Sequence, residues 1–351
     1  MGKQSMLKMV SFLNREKLYI MLLLFVVAVN SLVSIAQELS VPEDLGAPAD
    51  GATGRLLENS TVREALENNS VAYLIFLYIV FLTIFSAIAG IILDIVYLFL
   101  KKSGRYNLLR TAEPGEASWG ILDICKVIII FLAAQHAIFL MDALVTSTIP
   151  YLEGVKSIRL VFGSFIADIA GVAAVFNFVI RRGGQSITSI GLSRDNFLIN
   201  VRYGTLAYLG LVPILAAVMF TAAFLFKRFN IPVEPQPILY IIRDEKNIVS
   251  LVVIGLFTSL LGPVMEEVFF RGFAYGYLRK KLGVSWGIIL SAAFFAFVHG
   301  NLASFFPILS LGLVLAYVYE KTGSLVASSA VHIIHNSISL FFLIFYKTIT
   351  S

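Results

Sequence analysis

An all-α, polytopic membrane bundle of about eight to nine transmembrane helices, enclosing a polar cavity, is the fold the sequence predicts. Three observations carry this. Hydrophobic residues make up 58% of the 351 and charged residues only 14%, against about 25% charged in ordinary soluble domains. Mean hydropathy is +0.86, and the apolar residues come in continuous runs of about 20, the length a membrane helix needs. Barrel strands would give a weaker, alternating pattern. Finally, the basic residues gather at the ends of these runs, so topology accounts for the net charge of +5 and no nucleic-acid partner is expected.

Nine apolar segments follow in order, at roughly 18–36, 71–100, 119–149, 160–180, 204–226, 248–264, 284–299, 305–319 and 324–346. The first comes after a basic start (Lys3, Lys8, Arg15, Lys17) and before "VNSLVSIAQ", a weak cleavage site, so it is expected to stay as an uncleaved helix. The loop at 37–70 is acidic, with seven Asp and Glu against Arg55 and Arg63. "KKSGRYNLLR", "RRGGQSITSIGLSRD" and "LRKKLG" are the basic loops. With a cytoplasmic N-terminus, nine crossings put 17 Lys and Arg inside and 9 outside, which is the orientation the positive-inside rule selects. The segment "KRFNIPVEPQPILYIIRDEKN" is the one basic loop left outside. Cys125 is the sole cysteine, which excludes an internal disulfide and most cysteine-based metal sites.

Two parts emerge. Residues 1–203 hold plain membrane helices and the acidic extracytoplasmic loop. Residues 204–346 hold nearly all the unusual polar residues. An ionised group in a bilayer is costly unless paired or hydrated, so those residues direct attention to the C-terminal part.

Three sites stand out there. In "GPVMEEVFFRG", Glu267 and Arg271 are four apart and share a helix face. Glu266 lies about 100° round the helix and is left for another task. Gly262 and Pro263 suggest a helix start or break before them. In "FFAFVHGN", His299 ends an apolar helix. In "SSAVHIIHNSIS", Ser328, Ser329, His332, Asn336 and Ser339 form one polar stripe, which should face a bundle interior or water.

Hydrolysis is the chemistry these residues suit. A carboxylate beside a histidine holds a water and takes its proton, while a second histidine and an asparagine amide donate to the oxyanion formed at a peptide carbonyl. Alternatively, Glu266, His299 and His332 ligate zinc with a position open for water. No nucleophile-elbow serine, Walker loop, dinucleotide fingerprint or HExxH is present. Taken singly, the sites have plainer readings. Glu267 with Arg271 alone reads as a structural clamp, and His136 as a packing residue. Asp123 and Lys126 are three apart and are expected to pair. Asp94, Asp142 and Asp168 read as packing, water-cavity or interface residues. His335 is a second candidate for the role given to His332.

Taken together, Glu266, Glu267 and Arg271, then Phe295 and His299, then His332 and Asn336, on successive helices, resemble the CAAX protease and bacteriocin-processing family (also called Abi), relatives of the CAAX prenyl endopeptidase. The resemblance covers about residues 205–345. It implies an intramembrane endopeptidase with a water-filled interior cavity, acting on a membrane-associated peptide or protein in the lipid bilayer of the cell. By the resemblance, Glu266 and His299 activate water, His332 and Asn336 stabilise the oxyanion, and Glu267 and Arg271 shape the site. This mechanism requires no cofactor, with zinc as the alternative. A non-catalytic adaptor or immunity factor on the same fold is the competing function. A proton-coupled transporter is disfavoured because no paired repeats are evident.

Overall fold

The computed structural model describes residues 3–40, 69–103, 113–149, 151, 155–231 and 236–350. Most of the acidic loop, and residues 104–112 of the first basic loop, lie outside the described residues. Helices α1 (Lys3–Ser40), α2 (Ser70–Lys102), α3 (Ile121–Thr148), α4 (Lys156–Arg182) and α5 (Phe197–Arg228) form the first half. A short α6 (Pro237–Asp244) precedes α7 (residues 248–282), α8 (284–298), α9 (Leu302–Thr322) and α10 (Leu325–Thr350). No strand occurs among the described residues.

Eight candidate membrane spans result, and the sixth, Ile248–Val298, folds back on itself. At Gly283 the backbone takes φ 79° and ψ 173°, a conformation glycine adopts without steric cost. Gly287 then lies against the backbone of Arg279, and Ser291 Oγ donates to the Phe270 carbonyl at 3.2 Å. The two arms, α7 and α8, are therefore an antiparallel hairpin, and the described residues hold nine long helical arms, as the apolar segments predict.

Local chemistry explains the helix ends. Asn69 caps α2 by accepting from the Ala72 N–H, and Lys101 and Lys102 close it where the helix dipole favours cations. At the start of α3 the Asp123 carboxylate accepts from the Gly120 N–H at 3.0 Å. The expected pairing of Asp123 with Lys126 does not form. Lys126 instead reaches Glu16 on α1 at 2.8 Å, because a first-turn aspartate satisfies the open backbone donors of its own helix, while Lys126 faces a neighbour. Asp142 pairs with Arg159 across α3 and α4 at 2.8 Å, and His136 Nδ1 bonds the Leu132 carbonyl.

The membrane half supplies packing surfaces through small residues, which permit close backbone approach where lipid offers no hydrophobic drive. Gly163, Ala167, Gly171 and Ala174 form a buried stripe on α4, with Gly163 on Ile138 and Gly171 on Phe131 of α3. Gly204 of α5 sits on the Ala327 carbonyl and Ala330 of α10, leaving no room for a Cβ. Helix α5 also packs on α2, and α4 on α7, so helices on both sides of residue 203 interlock.

The motif helix α7 corrects one expectation. Gly262 and Pro263 do start an α-helical segment, but within a helix that runs on through them rather than after a break. Two π-helical stretches, Phe257–Leu261 and Val268–Tyr275, flank a short α segment, Gly262–Glu267. Pro263 has no N–H to give an α-helical bond, and the wider turn before it absorbs the loss. Such π turns concentrate at functional sites.

The ends of the bundle sort the loops. Lys280 Nζ donates to the Ala117 carbonyl at 2.7 Å, and the Leu325 N–H to the Gly191 carbonyl, placing the basic loops together. At the other end Gln236 donates to Ser304 Oγ at 2.8 Å and Lys347 to the Ile242 carbonyl at 2.9 Å. With Cys125 replaced by serine, a cysteine at Asp50 is expected to react with an impermeant reagent from outside intact cells, and one at Lys102 to stay unlabelled. The reverse pattern would invert the orientation.

Candidate active site

Glu267 and Arg271 are fully buried, with Arg271 Nη1 3.0 Å from Glu267 Oε1. The pair survives the π-helical turn between its members. Arg271 also stacks over the Phe295 ring, 4.4 Å to the centroid, and Nη2 donates weakly to the Gly312 carbonyl at 3.4 Å. Desolvated charges need this much compensation to be tolerated. Glu267 is further held by His332, whose Nδ1 lies 3.0 Å from the same Oε1. A proton on Nδ1 in that bond fixes the ring and directs Nε2 toward Glu266 Oε2, 3.7 Å away. That is too long for a direct hydrogen bond and short enough for a charge to be felt. One histidine from α10 thus spans the two adjacent glutamates of α7.

Glu266 differs from its neighbour. Its side chain is 34% exposed and lines a cavity of about 640 Å³ with His299, His332 and Asn336. Glu267 and Arg271 stand behind the cavity wall. His299, at the end of α8, bonds the Phe295 carbonyl through Nδ1 at 2.7 Å, which leaves Nε2 for other partners. Asn336 donates one amide N–H to the Thr258 carbonyl at 3.0 Å, and an amide has a second to give. Phe295, wholly buried, is the hub. Its ring packs edge-to-face on His299 at 4.7 Å and on His332 at 5.5 Å.

The structure therefore brings Glu266, His299, His332 and Asn336 to one cavity and sets Glu267 and Arg271 beneath it. No group of three His, Cys, Asp or Glu side chains among the described residues is arranged to hold a metal. Two further cavity residues are His335, the second candidate for the role of His332, and Asp168, for which a water cavity is one of the three readings. His335 has Nδ1 buried and without a partner. Asp168 of α4 lines the cavity from the half of the chain that carries no motif. The one signal for Asp168 was an aspartate inside an apolar helix.

The comparisons bear on the same region. Residues 248–338 match the family described as type II CAAX prenyl endopeptidase Rce1-like. The chain is 27% identical over 80 residues, 23% of its length, to a Bacillus subtilis (strain 168) protein named "Putative membrane peptidase YdiL". It is 29% identical over 84 residues, 24% of its length, to the UPF0177 protein YxdF of Lactococcus lactis subsp. lactis (strain IL1403). These alignments span 33% and 44% of the two relatives. No solved structure matches. The three motifs, Glu266 to Arg271, Phe295 with His299, and His332 with Asn336, all fall inside the segment of this multi-pass membrane protein that is similar to the Rce1-like family.

Proposed function

We propose that this protein is an intramembrane endopeptidase that hydrolyses a peptide bond of a membrane-associated protein or peptide. The observation that carries the proposal is the division of labour between two adjacent glutamates. Glu267 is committed to Arg271 and His332, while Glu266 lines the cavity and its Oε2 accepts no hydrogen bond from a protein group. The family match and the relative named as a membrane peptidase support the same reading.

In this mechanism Glu266 accepts a proton from a water held with His299, and the resulting hydroxide adds to the substrate carbonyl. The free N–H of Asn336, with His332 beside it, stabilises the oxyanion. Glu266 then returns its proton to the leaving nitrogen as the tetrahedral intermediate collapses. His332 is itself held in place by Glu267, a contact that the sequence does not reveal. None of these steps uses a metal. Protein stripped with a zinc chelator is expected to keep most of its activity. Loss on chelation with recovery on added zinc would contradict the mechanism.

The cellular test compares membrane and secreted peptides from cells carrying wild type and Glu266→Gln. Peptides that require the wild type are expected. Identical peptide sets, with equal protein levels, would favour a non-catalytic adaptor.

A further inference from the structure

The cavity carries two carboxylates and three histidines but no permanent cation. Its titratable lining consists of Asp168 from α4, Glu266 from α7, His299 from α8, and His332 and His335 from α10, with no lysine or arginine. Arg271, behind the cavity wall, is engaged by Glu267. Asp168 makes no hydrogen bond or ion pair with any described residue, and the charge it senses is the like charge of Glu266. From α3, packed against α4, His136 bonds its own helix and Asp142 engages Arg159, so neither compensates it. Arg279, elsewhere in the bundle, pairs with Glu320 at 2.8 Å.

A carboxylate set apart inside a membrane bundle is costly unless it takes up a proton or a counter-charge arrives. Local rules are broken in this way at functional sites. We propose that Asp168 is a specificity-determining residue that pairs with a cationic group of the peptide substrate, a lysine or arginine side chain or a free amino terminus, beside the bond attacked through Glu266. The inference rests on the endopeptidase reading and adds a substrate class to it. It also gives the motif-free half of the chain a part in the site. Helix α4 is held against α7, and its buried small-residue stripe against α3 fixes its position, so Asp168 is presented on a rigid element.

The test uses the purified full-length chain in detergent micelles and a proteome-derived peptide library, half of it N-acetylated, with cut sites read by mass spectrometry. Wild type is expected to favour peptides with lysine or arginine near the cut, or unblocked ends near it, by about 10- to 100-fold, the range of a charged hydrogen bond. Loss of cutting on acetylation alone assigns the cation to the amino terminus. Asp168→Asn should erase the preference and Asp168→Glu should keep it. Thermal unfolding of Asp168→Asn should match or exceed wild type, because no internal partner is lost. The inference is overturned by a wild type without cationic preference, by the same preference in Asp168→Asn, or by marked destabilisation of that variant. Cutting that is equal in wild type and Glu266→Gln, or absent from both, sinks the endopeptidase reading itself and the inference with it.

Discussion

Glu266→Gln is expected to lower turnover by roughly 10²-fold or more, the usual loss when a general base is removed, while leaving yield and thermal unfolding near wild type. Glutamine keeps the size of glutamate and cannot take a proton. Stability should hold because Glu266 has no protein hydrogen-bond partner at Oε2 to lose and its side chain is one-third exposed. Parallel measurement of peptide cleavage and unfolding in detergent checks both halves. A folded, fully active variant would remove Glu266 from the chemistry.

Glu267→Gln should do the opposite first. The change leaves the Arg271 guanidinium fully buried without a counter-ion and weakens the hold on His332 Nδ1. Breaking a buried pair from one side costs on the order of 3–5 kcal/mol, so lower yield and a clearly lower unfolding temperature are expected. Combining it with Arg271→Gln removes the orphaned cation and should recover part of the loss. The recovery is incomplete because Arg271 also packs on Phe295 and reaches the Gly312 carbonyl. A Glu267→Gln protein as stable as wild type would show that the pair is dispensable to the fold.

The sequence made some of this legible and hid the rest for physical reasons. Hydropathy runs and the positions of Lys and Arg gave the helical arms, because the bilayer constrains length and flanking charge. The Glu267–Arg271 pair was readable because four residues bring two side chains to one helix face. The bond from His332 to Glu267 was not, since 65 residues separate them in the chain and only tertiary packing joins α7 to α10. Lys126 escaped for the same reason. A local partner, Asp123, was in reach, and the actual one lies on α1. The π turns around Glu266 have no strong sequence signal beyond Pro263. Asp168 carried no motif, and its meaning came from the cavity wall into which the fold sets it.

The most direct measurement of the central claim is the appearance of new peptide termini when equal amounts of folded wild type and Glu266→Gln, purified in detergent, meet the same peptide library. Wild type should generate new termini and Glu266→Gln should generate essentially none, at matching unfolding temperatures. Equal production of termini by the two proteins, or none from a folded wild type, would contradict it.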